Sequence, residues 1–384
     1  MSKHTEPKSD LHLAPPLPIA TVLDALRAES AIAVDTESDS LYSYFEKVCL
    51  LQFSTRAHDC IVDPLAVDAM PLAPLFAAPN IEKVFHAAEY DIFCLKRDYQ
   101  FKFVNLFDTM IAARILGWKN VGLGNILQER FGVTLNKKMQ RADWGHRPLT
   151  MEHLDYARED THFLLALRDL QIVELEKMGR LTEAREEFER LARVEPTPRR
   201  FDPDGYWNMN GARDLDPISL GILRELYQWR DTEARKQDRP TFKIMGDVTM
   251  MRLAIERPGS TRAMANISGM SSYTVQRYGN AIVQAIDQGQ RTPQTEPPRP
   301  QARRDGQLDP AARTRLGKLK EWRKARAAER GVETDVIVSN DALTAIARKN
   351  PRTLETLIEA SGLGDWKTNA YAEEMFNILH KKKK

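Results

Sequence analysis

Four carboxylates and one phenol, set in three short clusters along the first half of the chain, are the residues best suited to chemistry. They are Asp35 and Glu37 of Asp35-Thr36-Glu37, Asp91 closing His86-Ala-Ala-Glu-Tyr-Asp91, and Tyr156 and Asp160 of Tyr156-Ala-Arg-Glu-Asp160. Segments this far apart meet only through tertiary folding. Brought together, their negative charges repel unless cations sit among them. Hard oxygen donors of this kind suit Mg²⁺ or Mn²⁺. Two such ions a few ångströms apart clamp the attacking and leaving oxygens of a phosphodiester. The pattern implies metal-dependent phosphodiester hydrolysis.

The surrounding sequence must supply elements that aim these groups. Ala31-Ile-Ala-Val-Asp35 reads as a buried strand, and residues at i and i+2 share a strand face, so Asp35 and Glu37 point the same way at a sheet rim. Val48–Phe53 reads as a second strand, with weaker candidates at Cys60–Val62 and Lys83–Phe85. Helical periodicity covers Tyr90–Tyr99, Asp108–Leu116, Leu123–Phe131 and Met151–Lys177, with Asp108 and Thr150 as N-caps. Tyr156 and Asp160, four apart on the last of these, share a helix face. Asp91 opens the helix that follows the strand ending near His86. Strands early and helices later fit a central sheet flanked by helices. By contrast, Asp231-Thr-Glu233 copies the first tripeptide and Tyr227-Gln-Trp-Arg-Asp231 the third spacing, but both fall on one helix. That overlap reads as a solvated face, not a site.

At 384 residues, the chain is long enough for two or three domains. No apolar run of about eighteen residues is present, which argues against a membrane span. Cys49, Cys60 and Cys94 lack metal-ligand spacing and read as buried, reduced thiols of a cytoplasmic protein. The net charge of +2 is unevenly spread. Residues 1–200 hold 25 Lys and Arg against 30 Asp and Glu, residues 201–300 hold 13 against 12, and residues 301–384 hold 18 against 12. The last piece ends in Lys381-Lys-Lys-Lys384. An acidic part followed by a basic one suits a protein that cuts a polyanion with one end and grips it with the other; a lysine run that only aids solubility is the alternative. No G-x-x-x-x-G-K-[ST] loop exists to cradle ATP phosphates, so a helicase is excluded.

Proline-rich segments at Glu195–Pro203 and Arg291–Pro300 mark joints. Beyond the first joint lies a repeat. Trp229-Arg230 recurs as Trp322-Arg323, 93 residues later, and the same offset relates Leu226 to Leu319, Ile244 to Ile337, Pro258 to Pro351, Ser268-Gly269 to Ser361-Gly362 and Tyr278 to Tyr371. Both copies are rich in helical periodicity, which predicts two related all-α modules of four to six helices.

These words together resemble a known family. Asp35-x-Glu37, His86-Ala-Ala-x-x-Asp91 and Tyr156-x-x-x-Asp160 look like the three motifs of DEDDy 3′→5′ exonucleases, and within them the chain resembles the ribonuclease D family. Val48-Cys-Leu-Leu-Gln52, Phe107-Asp-Thr109, Gln140-Arg-Ala-Asp-Trp144 and Arg147-Pro-Leu149 strengthen the match, and the repeats resemble HRDC domains, helical nucleic-acid-binding modules. The resemblance implies an α/β ribonuclease H-like exonuclease domain at 1–195, a linker at 196–212, a first HRDC domain at 213–290, a Pro-rich linker at 291–306 and a divergent HRDC-like domain at 307–384. It implies a 3′→5′ exoribonuclease that uses two Mg²⁺ or Mn²⁺ ions, releases nucleoside 5′-monophosphates, and matures structured RNAs such as tRNA precursors with 3′ extensions, with no obligatory protein partner. Asp35, Glu37 and Asp160 would hold the ion that activates water, Asp35 and Asp91 the second, and Tyr156 would orient that water. A DNA exonuclease or a non-catalytic RNA-binding scaffold are the rival readings. His86 is either a ligand or a structural histidine. Asp143, Trp144 and Arg147, on a loop before the Tyr156 helix, are substrate contacts or loop packing. Leu41, Tyr42 and Phe45 either wedge against a terminal base or pack an edge. Tyr273 and Tyr278 either stack bases or fill the first module's core, and Asp108 reads as a helix cap.

Overall fold

The structure, a computed structural model, describes residues 19–197, 200–295 and 308–380. The Pro-rich segment after 295 and the terminal Lys381–Lys384 lie outside the described residues. No helix among the described residues is long and apolar enough to cross a membrane.

The first half builds one mixed sheet of β1 (Ala31–Ser38), β2 (Val48–Ser54), β3 (Asp59–Val62), β4 (Glu82–Phe85) and β5 (Leu106–Asp108), in the order β3-β2-β1-β4-β5. β1 pairs antiparallel with β2 and parallel with β4, so it is central and both its neighbours are buried. β2 is buried along its whole length, as its apolar run requires. Helices α1 (Ile19–Arg27), α2 (Ala73–Phe76), α3 (Glu89–Tyr99), α4 (Thr109–Leu116), α5 (Leu123–Phe131), α6 (Met151–His162), α7 (Leu164–Lys177) and α8 (Leu181–Ala192) surround it. The sheet and its flanking helices are the architecture that the sequence implies.

Two local differences have clear causes. The single helix expected over Met151–Lys177 is two, broken at Phe163. Just before the break, the Thr161 hydroxyl donates to the Arg158 carbonyl at 3.4 Å, a local side-chain-to-backbone bond that competes with the helical ladder. The three-residue β5 escapes a periodicity search altogether, because Asp108 at its end already caps α4.

The repeat recurs in structure, helix for helix, with a longer fourth helix in the second module. The first module contains α9 (Pro217–Gln237), α10 (Thr241–Ile244), α11 (Asp247–Glu256), α12 (Thr261–Met264) and α13 (Ser272–Arg291). The second contains α14 (Pro310–Arg330), α15 (Thr334–Ile337), α16 (Asn340–Lys349), α17 (Leu354–Ser361) and α18 (Asp365–His380). Equivalent side chains make equivalent contacts. Arg230 donates to the Met245 carbonyl at 2.9 Å and Arg323 to the Val338 carbonyl at 2.8 Å. Trp229 meets Tyr278 edge-on with centroids 5.7 Å apart, and Trp322 meets Tyr371 at the same 5.7 Å. Tyr278 is thereby a core residue, 6% exposed, while Tyr273 stays 57% exposed.

Compactness groups these pieces differently from the linear order. One unit joins the sheet and its helices with Gln307–Lys384; the other joins Asp39–Lys47 with Thr197–Gly306. Within the first unit the second module is fastened to the exonuclease-like half. Val336 enters the sheet's own hydrophobic core. Glu183 of α8, fully buried, accepts from both terminal nitrogens of Arg330 at 3.0 and 2.5 Å. Glu186 of α8 accepts from the backbone N–H of Trp366 at 2.6 Å, capping α18 from outside its own module. A Cβ at Gly364 would run into the Glu186 carboxyl group, which would have to shift from its capping position. At the equivalent place in the first module, Ser271 caps α13 with its own side chain.

Candidate active site

β1 carries the acidic pair inside the strand, not at its end: Asp35 stands opposite Gln52 of β2 and Glu37 opposite Leu50. The register then shifts between Glu37 and Ser38. Strand alternation puts Asp35 and Glu37 on one face, and α6 lies across that face with Tyr156 and Asp160. Carboxylate oxygens of Asp35, Glu37 and Asp160 all come within 4.8 Å of one another. Thr36 projects to the other side and donates its hydroxyl to Asp91 Oδ1 at 2.5 Å, tying the strand to the first turn of α3.

Asp91 depends in turn on Asp108. The Asp108 carboxylate accepts from Met110 and Ile111 to cap α4, and also from Ala87 and Ala88 at the entrance to α3. Ala87 there has φ of 63°, a left-handed conformation costly for alanine, which these bonds offset. Asp108 is thus a cap shared by two helices. Thr36 and this second role of Asp108 were not legible from motif spacing. The signal available for Thr36 was its place between two acids on an alternating strand.

The electrostatics show strong mutual repulsion in a buried setting. Burial, then the charges of Asp91, Asp160 and Glu37, hold the Asp35 carboxyl well above its ordinary range. Burial, then Asp160 and Asp91, push Glu37 up to about 9. Burial foremost raises Asp91 to about 7 and, with Glu159, Asp160 to about 7. Tyr156 is also raised, by burial and then by the Asp160 charge, so its phenol stays neutral at neutral pH. Beside Asp35, Gln52 is fully buried and neither atom of its amide has a protein partner. A trio of close, charge-frustrated carboxylates beside an orphaned amide is a donor set that fits a hard divalent cation with its water.

Other sequence candidates fall elsewhere. Trp144, expected as an exposed aromatic, is 2% exposed. It packs with Cys49, Leu50 and Ala157, and its ring lies 5.9 Å from that of Tyr156. Trp144 therefore backs the tyrosine instead of meeting a strand end. Arg147 is also spent within the protein: it makes a two-pronged pair with Asp63 at 2.7 Å and donates to the carbonyls of Cys49, Trp144 and His146. Its N–H groups are thus engaged in fixing the loop. His86 meets the Thr109 hydroxyl at 2.8 Å, and burial lowers its pKa to about 4, leaving it neutral. Leu41 is 41% exposed and belongs to the second compact unit. Asp231, read as part of a solvated face, instead accepts a hydrogen bond from Tyr44 at 2.8 Å.

Comparison with known proteins agrees with this architecture. Residues 19–175 match the 3′-5′ exonuclease family, and residues 219–286 and 312–379 match the HRDC domain. Ribonuclease D of Gluconacetobacter diazotrophicus is 28% identical over 92% of this chain and 88% of its own. Ribonuclease D of Zymomonas mobilis is 32% identical over 70% of each chain. The crystal structure of Escherichia coli RNase D, described as an exoribonuclease involved in structured RNA processing, superposes with a TM-score of 0.64 at 26% identity, covering 94% of this chain and 96% of that one. On its sheet, its acidic cluster and its paired helical modules, the chain belongs to the ribonuclease D family of hydrolytic 3′→5′ exoribonucleases.

Proposed function

We propose that this chain shortens RNA one nucleotide at a time from a free 3′-hydroxyl, releasing nucleoside 5′-monophosphates, with Asp35, Glu37, Asp91 and Asp160 holding two Mg²⁺ or Mn²⁺ ions. The observation that carries the reading is the convergence of Asp35, Glu37 and Asp160 oxygens within 4.8 Å beside Tyr156. The ions, when bound, supply a nucleophilic water at neutral pH and stabilise charge on the leaving oxygen.

The chain's own residues do the rest. Asp35, central on β1 and flanked by Glu37 and Asp160, is suited to be the shared ligand. Asp91, held by Thr36, adds its carboxylate from α3. Tyr156 keeps its proton and so orients the attacking water by hydrogen bonding; a phenol with so high a pKa is no base at neutral pH. Trp144 behind its ring limits the directions it can take. Trimming of structured precursors, tRNAs with 3′ extensions among them, follows from the family and from the words describing the E. coli relative. The three cysteines, all buried, suit a cytoplasmic setting.

The test is incubation of matched single-stranded RNA and DNA, and of a 3′-extended tRNA precursor, with Mg²⁺ or Mn²⁺, resolving products nucleotide by nucleotide. Stepwise loss of 5′-monophosphates from RNA is expected. Preferential digestion of DNA would replace the substrate assignment, and binding without digestion would make the chain a scaffold.

A further inference from the structure

Among the described residues, Gln52 alone buries its whole polar end without a hydrogen-bond partner: neither its amide oxygen nor its amide nitrogen is paired. Every other buried side chain with an unpaired atom has just one. Gln171, for instance, donates its nitrogen to the Thr109 carbonyl at 2.8 Å and leaves only its oxygen over. A buried amide lacking both partners costs stability, and in a native fold such a group calls for a reason.

The position of Gln52 supplies one. It stands opposite Asp35 in the antiparallel pairing of β1 with β2, so both side chains leave the same sheet face, with Cβ atoms about 4.5–5.5 Å apart. Leu50 and Ser54, two residues to either side, share that face. Leu50 clusters with Ala157 of α6. Ser54 Oγ lies 2.7 Å from the Thr161 hydroxyl of α6 and 2.7 Å from an Asp59 carboxylate oxygen. Gln52, midway between them, therefore lies beneath the turn Ala157–Thr161, which carries Asp160. Oxygens of Asp35 and Asp160 converge within 4.8 Å, so the amide borders the space where these two carboxylates meet. On its other flank, Ile61 of β3 stands opposite Gln52 and packs on the same apolar cluster as Leu50 and Ala157. Opposite Glu37, by contrast, β2 presents Leu50. Hydrogen-bonding capacity is thus placed beside one acid of β1 and withheld from the other.

We propose that Gln52 is the positioning residue for Asp35 in the ion-loaded site, its amide supplying hydrogen bonds to the Asp35 carboxylate and to water on the cation. The inference rests on the metal-dependent, hydrolytic reading given above. Groups that hydrogen-bond a metal-binding carboxylate fix its orientation, and losing one typically lowers metal affinity tenfold to a hundredfold. An apolar side chain of similar reach would relieve the ion-free fold of an unpaired amide, yet leave Asp35 without that support. Stability and ion affinity are set against each other at this one position.

The test compares the full chain with Gln52→Met, an unbranched apolar side chain of similar length, and with Gln52→Leu. Three quantities are measured: melting temperature with a chelator at about pH 8, Mn²⁺ binding from the EPR signal of the free ion, and RNA digestion. The ion-free melting temperature is expected to rise by about 2–4 °C. The dissociation constant for Mn²⁺ should rise roughly tenfold to a hundredfold, and digestion lost at low Mn²⁺ should return when the ion is raised. A glutamine with a merely structural role would leave Mn²⁺ affinity alone. Unchanged affinity in a folded variant, or a lower ion-free melting temperature in both variants, would overturn the proposal. Failure of the underlying reading looks different: the parent would bind no Mn²⁺, or Asp35→Asn would bind it as tightly as the parent.

Discussion

The Thr36 hydroxyl donates to Asp91 at 2.5 Å, joining the middle of the acidic strand to the first turn of α3. Asp35 and Glu37 face Asp160, and the residue between them holds Asp91, the acid carried by α3. Thr36→Val keeps the β-branched shape and removes only this bond. It is expected to lower kcat about tenfold, the scale of one lost hydrogen bond to a charged group, with RNA affinity nearly unchanged. Single-turnover kinetics beside a binding titration would check it; full activity would show that Asp91 needs no such tether.

Asp160→Asn and Tyr156→Phe should separate two roles on one helix face. Asparagine removes a negative ligand, and a loss in kcat of roughly a hundredfold to a thousandfold is expected. Tyr156→Phe keeps the ring against Trp144 and loses only the hydroxyl, so a smaller loss with little change in KM is expected. Equal losses in the two variants would remove the distinction between ligand and orienting group.

The raised carboxyls predict a pH-dependent stability. Folded Glu37 titrates at about 9, and Asp91 and Asp160 at about 7, while unfolded carboxyls titrate near about 4. Between those values the folded state binds more protons than the unfolded one, so stability falls as pH rises from about 4 through 9. Without added divalent ions, the melting temperature should drop between pH 5 and pH 8. Added Mg²⁺ or Mn²⁺ should stabilise more at pH 8 than at pH 5, because ionised carboxylates are the ligands. A flat profile would mean that the cluster is not frustrated.

The second helical module is expected to act first as a brace. Arg330→Ala leaves the buried Glu183 unpaired, a loss of about 3–5 kcal/mol for breaking a buried pair. Replacing both partners with apolar residues should cost far less. Glu186→Ala uncaps α18 and should cost about 1 kcal/mol. Denaturant melts of the full chain would measure each. Removing the entire module would expose the part of the core that Val336 completes, so truncation is a poor probe of RNA contact.

Charge on that module is better tested by substitution. Lys320 and Lys324 are exposed on α14, beside Arg313 on the same face. If this face meets phosphates, Lys320→Glu and Lys324→Glu should each reduce the salt slope of RNA binding by about one. An unchanged slope would assign the lysines to solubility.

Much of this molecule was written locally. Alternation along Ala31–Ser38 and the four-residue spacing of Tyr156 and Asp160 are enough to orient side chains, because strand and helix periods are properties of the backbone. The 93-residue repeat foretold matching helices for the same reason, and even the Trp229–Tyr278 and Trp322–Tyr371 pairs obey it. What tertiary structure alone decided is which groups meet across the chain. Trp144 and Arg147 have the composition of substrate contacts, yet one packs behind Tyr156 and the other satisfies its donors on Asp63 and three carbonyls. Two copies of one fold diverged in the same way: α13 is capped by its own Ser271, while α18 takes its cap from Glu186 of α8. A carboxylate's partner is set by what the completed fold brings within about 3 Å of it, and no periodicity along the chain encodes that distance.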